Sequence, residues 1–381
     1  MADKIPFIQI AQSAICVPPT QNLAMAFDIK ILPEAGVEGQ PFYGVWLLDV
    51  SGSMDGDKID RAKQSLIKQI DQLPENTGFN LITFESEVKD IIKNETVSDK
   101  TRQKIQKHIE KVTAEGGTAL YEALKRGIKL VREYKGPLPK KIILISDGEP
   151  GDIPVEMGNK EDPNYQKYFL LAREALEYKA SIDTVGALGE HNVFLLYEIA
   201  RQSTGKYIFA EDAQELETKM LIASEQNTRI MFSQPSISVS SKVGKIKIDD
   251  MVQYKPTTIR MPFERIKETY KTWLRSFEAG DTYQFLLKLT LELDTSKITK
   301  DGENSVLAFD FDFGKKGLQT QKEIKVNFSE DSSKHKINPQ INKQYANLFS
   351  QAEEITEQTV KNDASATQKI QGDETKKVKG N

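Results

Sequence analysis

The chain has 381 residues, of which 38% are hydrophobic and 28% charged, and its 52 basic and 56 acidic side chains give a net charge of −4. This balance excludes a strongly basic nucleic-acid binder and a polyampholytic disordered chain, and the length predicts two domains or one large domain with appendages. The single cysteine, Cys16, excludes an intramolecular disulfide and a thiolate metal cluster. The chain has only three histidines, which argues against a histidine-rich zinc site as its functional centre. No run approaches the roughly 18 apolar residues of a membrane span, and Asp3 and Gln9 are unlike a secretory signal. We therefore expect a cytoplasmic protein with no membrane or nucleic-acid partner.

Residues 41–228 alternate apolar runs with segments of helical periodicity, which is typical of a doubly wound α/β domain with helices on both faces of a parallel sheet. Residues 44–48 form an unbroken apolar run, as expected of a central strand. Only three residues separate the apolar runs 79–84 and 88–92. Because a parallel crossover needs about a dozen residues, the second run is predicted to be an antiparallel edge strand. The remaining predicted elements are helices at 57–73, 99–112, 118–134, 165–179, 193–202 and 214–225, and strands at 141–146, 181–188 and 207–210, which completes a six-stranded Rossmann-like sheet.

The regions on either side of this domain have the period of two that half-exposed strands show. The alternation is visible at residues 23–31, 282–293, 307–313 and 318–328. Neither flank alone has enough strands for a stable core, so residues 1–40 and 229–330 are predicted to pair into one antiparallel β-sandwich that contains the α/β domain as an insertion.

Apolar residues become sparse in the last segment, residues 331–381. Its apolar positions predict the start of an amphipathic helix that extends toward Val360, followed by a disordered tail at 372–381. The positions that indicate this helix are Ile341, Tyr345, Leu348 and Phe349.

Polar side chains with oxygen donors follow two of the predicted buried strands. Asp49, Ser51 and Ser53 lie at alternate positions directly after the first strand, and Asp147 lies just past the strand at 141–146. A third segment brings Thr118 to a predicted helix start. If the strand order is 3-2-1-4-5-6, the order reverses between the strands that end in Asp49 and Asp147, where open α/β sheets bind ligands. Hard oxygen donors of this kind suit Mg²⁺ or Mn²⁺.

This pattern, Asp-x-Ser-x-Ser followed by a distant Thr and a distant Asp, resembles the metal-ion-dependent adhesion site (MIDAS) of von Willebrand factor type A (vWA) domains. The resemblance covers about residues 41–228. It implies that the three hydroxyls contact Mg²⁺, Mn²⁺ or Ca²⁺, that the two acids often act through water, and that an Asp or Glu of a protein partner fills the open metal position. The flanks are similar to those of intracellular bacterial members with a small β-sandwich, which often work beside a MoxR-type ATPase or with kinase and phosphatase partners. The implied function is a metal-dependent adhesion or assembly module without enzymatic activity.

Two other functions remain open. The first is a phosphatase of the haloacid dehalogenase type, with Asp49 as the nucleophile, but that chemistry needs an acid two residues later, where this chain has Ser51. The second is a passive scaffold in which the metal site only stiffens the fold. Partner binding that EDTA abolishes without unfolding the protein would favour the adhesion module, whereas a large loss of melting temperature would favour the scaffold.

Each site residue also has an ordinary structural interpretation. Asp49 could cap the helix that begins near Gly56, and Thr118 could be the N-cap of its own helix. Glu149 and Asp152 are expected to be solvated loop charges. His191 is expected at the surface, near the start of a helix.

Overall fold

The computed structural model describes residues 5–33, 40–147, 149–156, 159–186, 191–209, 215, 218–219, 229–256, 259–314 and 317–348. The chain divides into two compact units, one built from residues 5–33 and 234–348 and the other from residues 40–233. In the described part of the chain, no helix is long and apolar enough to cross a membrane.

Twenty strands and five α-helices lie wholly within the described residues. The helices are α1 (Asp57–Gln72), α2 (Asp99–Glu110), α3 (Leu120–Glu133), α4 (Pro163–Glu177) and α5 (Val193–Gln202). The strands up to the end of the α/β unit are β1 (Phe7–Gln12), β2 (Ala14–Val17), β3 (Asn22–Leu32), β4 (Tyr43–Asp49), β5 (Gly78–Phe84), β6 (Val88–Thr96), β7 (Lys140–Ser146), β8 (Ala180–Gly186), β9 (Tyr207–Phe209) and β10 (Ile230–Phe232). The later strands are β11 (Ser236–Ser241), β12 (Gly244–Lys255), β13 (Ile259–Arg260), β14 (Glu264–Ile266), β15 (Thr269–Trp273), β16 (Phe277–Glu278), β17 (Tyr283–Leu293), β18 (Gly302–Asp312), β19 (Gln319–Phe328) and β20 (Lys336–Ile337).

The α/β unit is built on a six-stranded sheet with the order β6-β5-β4-β7-β8-β9. All neighbouring strands are parallel except β5 and β6, which are antiparallel. The predicted strand order and the predicted antiparallel edge strand are therefore confirmed. The strand order reverses between β4 and β7, the two central strands.

The sheet is central because its strands are apolar on both faces. Every residue of β4 is buried. One face packs against α1 and α2 through a cluster that contains Trp46 and Leu66, and the other packs against α3, α4 and α5 through a cluster that contains Leu47 and Leu124. Gly127 on α3 lies so close to Leu47 that an added Cβ would be 3.2 Å from its side chain. Because the sheet is buried on both faces, the ends of β4 and β7 form a rigid edge for the loops that follow them.

The second unit contains two sheets. One has the order β1-β3-β17-β12-β13 and the other has the order β14-β15-β11-β18-β19-β2-β20. The long central strands β3 and β17 pair antiparallel from Tyr283–Ile31 to Glu292–Asn22. The N-terminal strands thus complete a sheet with strands that follow the α/β unit in the chain.

The structure differs from the sequence prediction in two details of this unit. The sandwich is not wholly antiparallel, because Asn327 and Phe328 of β19 pair parallel with Cys16 and Val17 of β2. The unit also extends beyond residue 330: β20 pairs with β2, and residues 339–348 are helical, with Ile341 buried against Ala26 and Leu286. The predicted continuation from Phe349 and the predicted tail lie outside the described residues, as does most of the helix predicted at 214–225.

Candidate metal site

The candidate site lies at the carboxyl ends of β4 and β7. Leu48 of β4 is in register with Ile145 of β7, so Asp49 and Asp147 follow at the same edge of the sheet. Both acids are almost completely buried, with 0% and 1% of their surface exposed. The topology therefore places two carboxylates beside each other at the position where the strand order reverses.

Asp49 is held by two hydrogen bonds. Its Oδ1 accepts from the backbone N–H of Ser51 at 2.9 Å, and its Oδ2 accepts from the hydroxyl of Ser146 at 2.6 Å. The first bond shapes the turn after β4, and the second ties Asp49 to the end of β7. Asp49 is thus oriented from both central strands.

The next hydroxyls connect the turn after β4 to Asp147. The hydroxyls of Ser51 and Ser53 are 3.0 Å apart, and Ser53 donates to Oδ2 of Asp147 at 2.5 Å. Ser51 is buried, whereas Ser53 is exposed. Four of the five predicted residues therefore form a small oxygen-rich cluster that opens to the surface at Ser53.

The loop that carries Thr118 is held beside this cluster by backbone hydrogen bonds. The N–H of Gly52 donates to the carbonyl of Gly116 at 3.0 Å, and the N–H of Gly151 donates to the carbonyl of Thr118 at 2.7 Å. Gly116 has a φ of +79°, a conformation that favours glycine. The loop before α3 is consequently fixed between the loops that follow β4 and β7, and Thr118 itself is buried.

The charges of the two acids are not neutralised by the protein. Burial, and next to it the negative charge of Asp147, raises the pKa of Asp49 to about 6, while its hydrogen bonds from Ser146 and Ser51 oppose the rise. Among the described residues, no Lys, Arg or His forms a salt bridge with either carboxylate. A buried pair of like charges is costly unless a cation lies nearby, and oxygen donors are the ligands that Mg²⁺ and Mn²⁺ prefer.

The five candidate residues differ from the ligands of metal sites that are rich in acids or histidines. No group of three or more His, Cys, Asp or Glu side chains suited to a metal ion occurs in the described ranges. The candidate residues here are two acids and three hydroxyl side chains. Such a set fits a hard divalent cation and leaves more of its charge uncompensated than a carboxylate-rich site does.

The structure corrects two of the ordinary interpretations. Gly56, without a side-chain hydrogen bond, is the N-cap of α1, so Asp49 does not cap that helix. The N-cap of α3 is Ala119 rather than Thr118. The first turn of α3 is instead capped by Asp152, whose Oδ2 accepts from the N–H of Glu122 at 3.0 Å. Asp152 is an exposed loop residue, as expected, and it is also a structural hydrogen-bond acceptor.

His191 is also not a surface residue, since only 3% of its surface is exposed. Its Nε2 is 2.9 Å from the hydroxyl of Tyr207, and its ring lies 4.9 Å from that of Phe209. Asn192, which follows it, caps α5 by accepting from the N–H of Leu195. His191 thus packs the end of the sheet beside β9.

Sequence reasoning missed two residues that support the site. Ser146 orients Asp49, and Ser86, in the turn between β5 and β6, accepts from the N–H of Gly117 at 2.9 Å. Ser146 could have been noticed as a hydroxyl directly before Asp147 at the end of a buried strand. Ser86 carries no such signal, because its contact depends on how two distant loops meet.

Comparison with known proteins agrees with this topology. The sequence profile described as the von Willebrand factor type A domain matches residues 45–221, which include all five residues of the candidate site. Residues 45–221 form a vWA domain. The resemblance seen in the sequence is thereby confirmed for the domain, and the fold class is confirmed with it.

Two of the curated relatives show how far the likeness extends. A Synechocystis protein described as uncharacterized protein sll0103 is 33% identical over 170 residues, which are 44% of this chain and 37% of that protein. The inter-alpha-trypsin inhibitor heavy chain H1 of Mesocricetus auratus is 30% identical over 28% of this chain and 12% of its own length. The chain thus spans little more than a third of the first of these relatives and much less of the second.

Two solved structures share the fold over most of the chain. The von Willebrand factor type A protein from Catenulispora acidiphila has a TM-score of 0.68 and 14% identity, over 87% of this chain and 76% of its own. The ArnB paralog VWA2 from Sulfolobus acidocaldarius has a TM-score of 0.60 and 12% identity, over 96% of this chain and 91% of its own. At these identities the likeness concerns the fold alone.

Proposed function

We propose that this protein is a binding module whose vWA domain holds a divalent cation, Mg²⁺ or alternatively Mn²⁺ or Ca²⁺, and through it recognises a carboxylate on a protein partner. The proposed ligand residues are Asp49, Ser51, Ser53, Thr118 and Asp147. The observation that carries the proposal is the buried pair Asp49 and Asp147, which lacks a cationic partner among the described residues and is linked through Ser51 and Ser53 to the surface.

Each residue has a distinct part in this site. The two acids supply the negative charge that a cation needs, and their hydrogen bonds keep them in place before the cation binds. The three hydroxyls add oxygen donors without adding charge. The bound metal would supply an electrophilic position for an acidic side chain of the partner. Ser53, the exposed member of the cluster, indicates the side from which the partner approaches.

vWA domains typically mediate protein–protein interaction or adhesion, and that coarser role agrees with the family match. The finer assignment concerns the partner. We propose a cytoplasmic partner that presents an Asp or Glu, and the classes to test first are a MoxR-type ATPase and the components of a kinase and phosphatase system.

We also propose that the site binds rather than catalyses. A phosphatase of the haloacid dehalogenase type would need a proton donor two residues after Asp49. Ser51 occupies that position, and its hydroxyl lies 3.0 Å from that of Ser53. Metal-dependent turnover of p-nitrophenyl phosphate that is lost in Asp49→Asn would contradict this part of the proposal.

The test has two steps, metal binding and partner capture. Isothermal titration of EDTA-treated protein with MgCl₂ or MnCl₂ should show one site, which Asp49→Ala and Ser51→Ala should remove. Pulldown from native extract should capture a partner in Mg²⁺ and release it in EDTA, with an unchanged circular dichroism spectrum. Asp55→Ala and Ser65→Ala are matched controls, because Asp55 is an exposed acid of the same loop and Ser65 is a buried serine of α1.

Three results would contradict the proposal. The first is the absence of a metal-binding site in titration. The second is a captured partner that remains bound in EDTA. The third is a protein that unfolds when the metal is removed, which would indicate a purely structural metal site.

A further inference from the structure

The edge strand β1 differs from the other edges of the sheets in this molecule. In the described residues, the ends of the three larger sheets are β1, β13, β14, β20, β6 and β9. Four of these edges carry charged residues, and β9 is only three residues long. The charged residues are Arg260 on β13, Glu264 and Arg265 on β14, Lys336 on β20, and Lys89, Asp90, Lys93 and Glu95 on β6. β1 has six residues, and no charged residue occurs anywhere between Ile5 and Phe27.

Charged side chains and short length are the means by which proteins keep exposed edges from pairing with another chain. β1 has neither, and it also exposes large apolar side chains. Phe7 is 61% exposed and Ile5 is 42% exposed. Ile10 is half-buried, whereas Ile29 and Ile31 on the neighbouring strand β3 are completely buried. The core of this sheet is therefore less well covered at β1 than at its neighbour.

The backbone of β1 is available for pairing as well. β1 and β3 pair antiparallel without interruption, and the N–H of Ser13 continues the ladder with a bond to the carbonyl of Ala26 at 2.9 Å. Since hydrogen-bonded positions alternate in an antiparallel ladder, the N–H and C=O groups of Ile8 and Ile10 face the other way, toward the open edge. The described residues supply no strand on that side.

We infer that β1 is a self-association surface and that its occupant is β1 of a second copy of this chain, paired antiparallel. Two identical strands that carry no charge meet without like-charge repulsion in any register, and β1 meets that condition. In a pair centred on Gln9, Phe7 faces Ala11 of the partner subunit and Ile8 faces Ile10 of the partner subunit. The large ring is thus opposite a small side chain, and two branched apolar side chains meet. The two five-stranded sheets then form one continuous sheet.

Analytical ultracentrifugation of the full chain tests this inference. At concentrations up to about 100 µM, the weak end of specific association, the mass should reach twice the 43.0 kDa of one chain. Gln9→Lys should weaken self-association by at least ~10-fold, because it places two like charges directly opposite each other across the pair. Phe7→Lys should weaken it by a similar factor, because it replaces the apolar ring opposite Ala11 of the partner subunit with a charge. Both residues are exposed, so the circular dichroism spectrum and melting temperature should stay as in the wild type.

Ile337→Lys is the matched control, since Ile337 is 60% exposed on an edge strand that already carries Lys336. This variant should remain a dimer. Hydrogen exchange should show that the amides of residues 7–12 become protected as the concentration of wild-type protein rises, and that they do not in Phe7→Lys. EDTA should leave the dimer unchanged, so this result is independent of the metal site.

Any of four results would overturn the inference. These are a monomer at the highest concentration, a dimer that survives both lysine variants of β1, a dimer that is lost equally in Ile337→Lys, and a dimer whose formation leaves residues 7–12 unprotected.

Discussion

Ser146 donates its hydroxyl to Oδ2 of Asp49 at 2.6 Å, across 97 positions of sequence. The residue directly before one acid of the candidate site therefore holds the other acid. The bond also joins the carboxyl ends of β4 and β7, the strands between which the order of the sheet reverses. This cross-strand contact sets the orientation of a carboxylate that has no cationic partner in the described residues.

Replacing Ser146 with Ala should therefore weaken metal binding without removing a proposed ligand. Loss of an orienting hydrogen bond to a metal ligand typically lowers affinity about 10- to 100-fold. Stability should fall by about 1–3 kcal/mol, because a buried acceptor loses its donor. Titration calorimetry with MgCl₂ and thermal unfolding measure the two effects. Ser65→Ala, at another buried serine of the same unit, should leave metal affinity unchanged. Equal affinity of Ser146→Ala and wild type would show that this bond does not position Asp49.

Metal binding should stabilise the vWA unit measurably. At a concentration of 100 times Kd, a ligand that binds only the native state adds about 2.7 kcal/mol to the free energy of unfolding. Thermal unfolding of EDTA-treated protein with increasing MgCl₂ should show the shift in the wild type, and Asp147→Asn should show much less of it. Asp55→Asn, at an exposed acid of the same loop, should shift as the wild type does. A Tm that is independent of Mg²⁺ in the wild type would contradict a metal site formed by these residues.

The part of the site that is local in sequence could be predicted without the structure. Asp49, Ser51 and Ser53 follow one strand at alternate positions, and the location of Asp147 followed from a strand order that the structure confirms. What could not be predicted depends on contacts between distant segments. Examples are the bond from Ser146 to Asp49 and the burial of His191 against Phe209.

The same distinction applies to the sandwich. The long strands β3 and β17 were predicted because their alternation extends over many residues, which makes the pattern specific. The parallel contact between β2 and β19 involves only two residue pairs, and β20 has only two residues. Such short elements leave no periodic pattern in the sequence, and their pairing is decided by tertiary packing.

Asp152 should contribute to stability through the first turn of α3. Its Oδ2 accepts from the N–H of Glu122 at 3.0 Å, a bond that satisfies a backbone donor left free at the helix start. Asp152→Ala should lower the free energy of unfolding by about 0.5–2 kcal/mol, as loss of a capping acceptor does. Urea unfolding measures this difference. Asp152→Asn keeps an acceptor oxygen and should recover most of the loss, whereas equal destabilisation by both variants would argue for a role of the charge instead.

The buried pair Lys141 and Asp183 should make the vWA unit sensitive to acid. Their side chains are 3.0 Å apart, with 5% and 2% of their surfaces exposed. Burial alone would raise the pKa of Asp183, but the charges and hydrogen bonds of Lys141 and Lys206 outweigh it and hold the pKa below its ordinary value. An acid with a lowered pKa stabilises the fold fully above its unfolded pKa of about 3.9, and this contribution is lost as the pH falls toward the folded pKa. Urea unfolding between neutral pH and pH 3 should show that decline.

Single and double variants of this pair distinguish the contribution of its charges to stability from the contribution of its packing. Asp183→Asn removes the carboxylate that faces the buried cation of Lys141 and should cost about 3–5 kcal/mol at neutral pH, with a shallower decline in acid. The double variant Lys141→Met with Asp183→Leu should recover most of that stability, since apolar replacement of a buried pair is often neutral or better. Asp90→Asn is the control: it breaks the more exposed pair with Arg126 and should cost about 0–1 kcal/mol. A double variant as unstable as Asp183→Asn alone would show that the pair contributes more than mutual neutralisation of two buried charges.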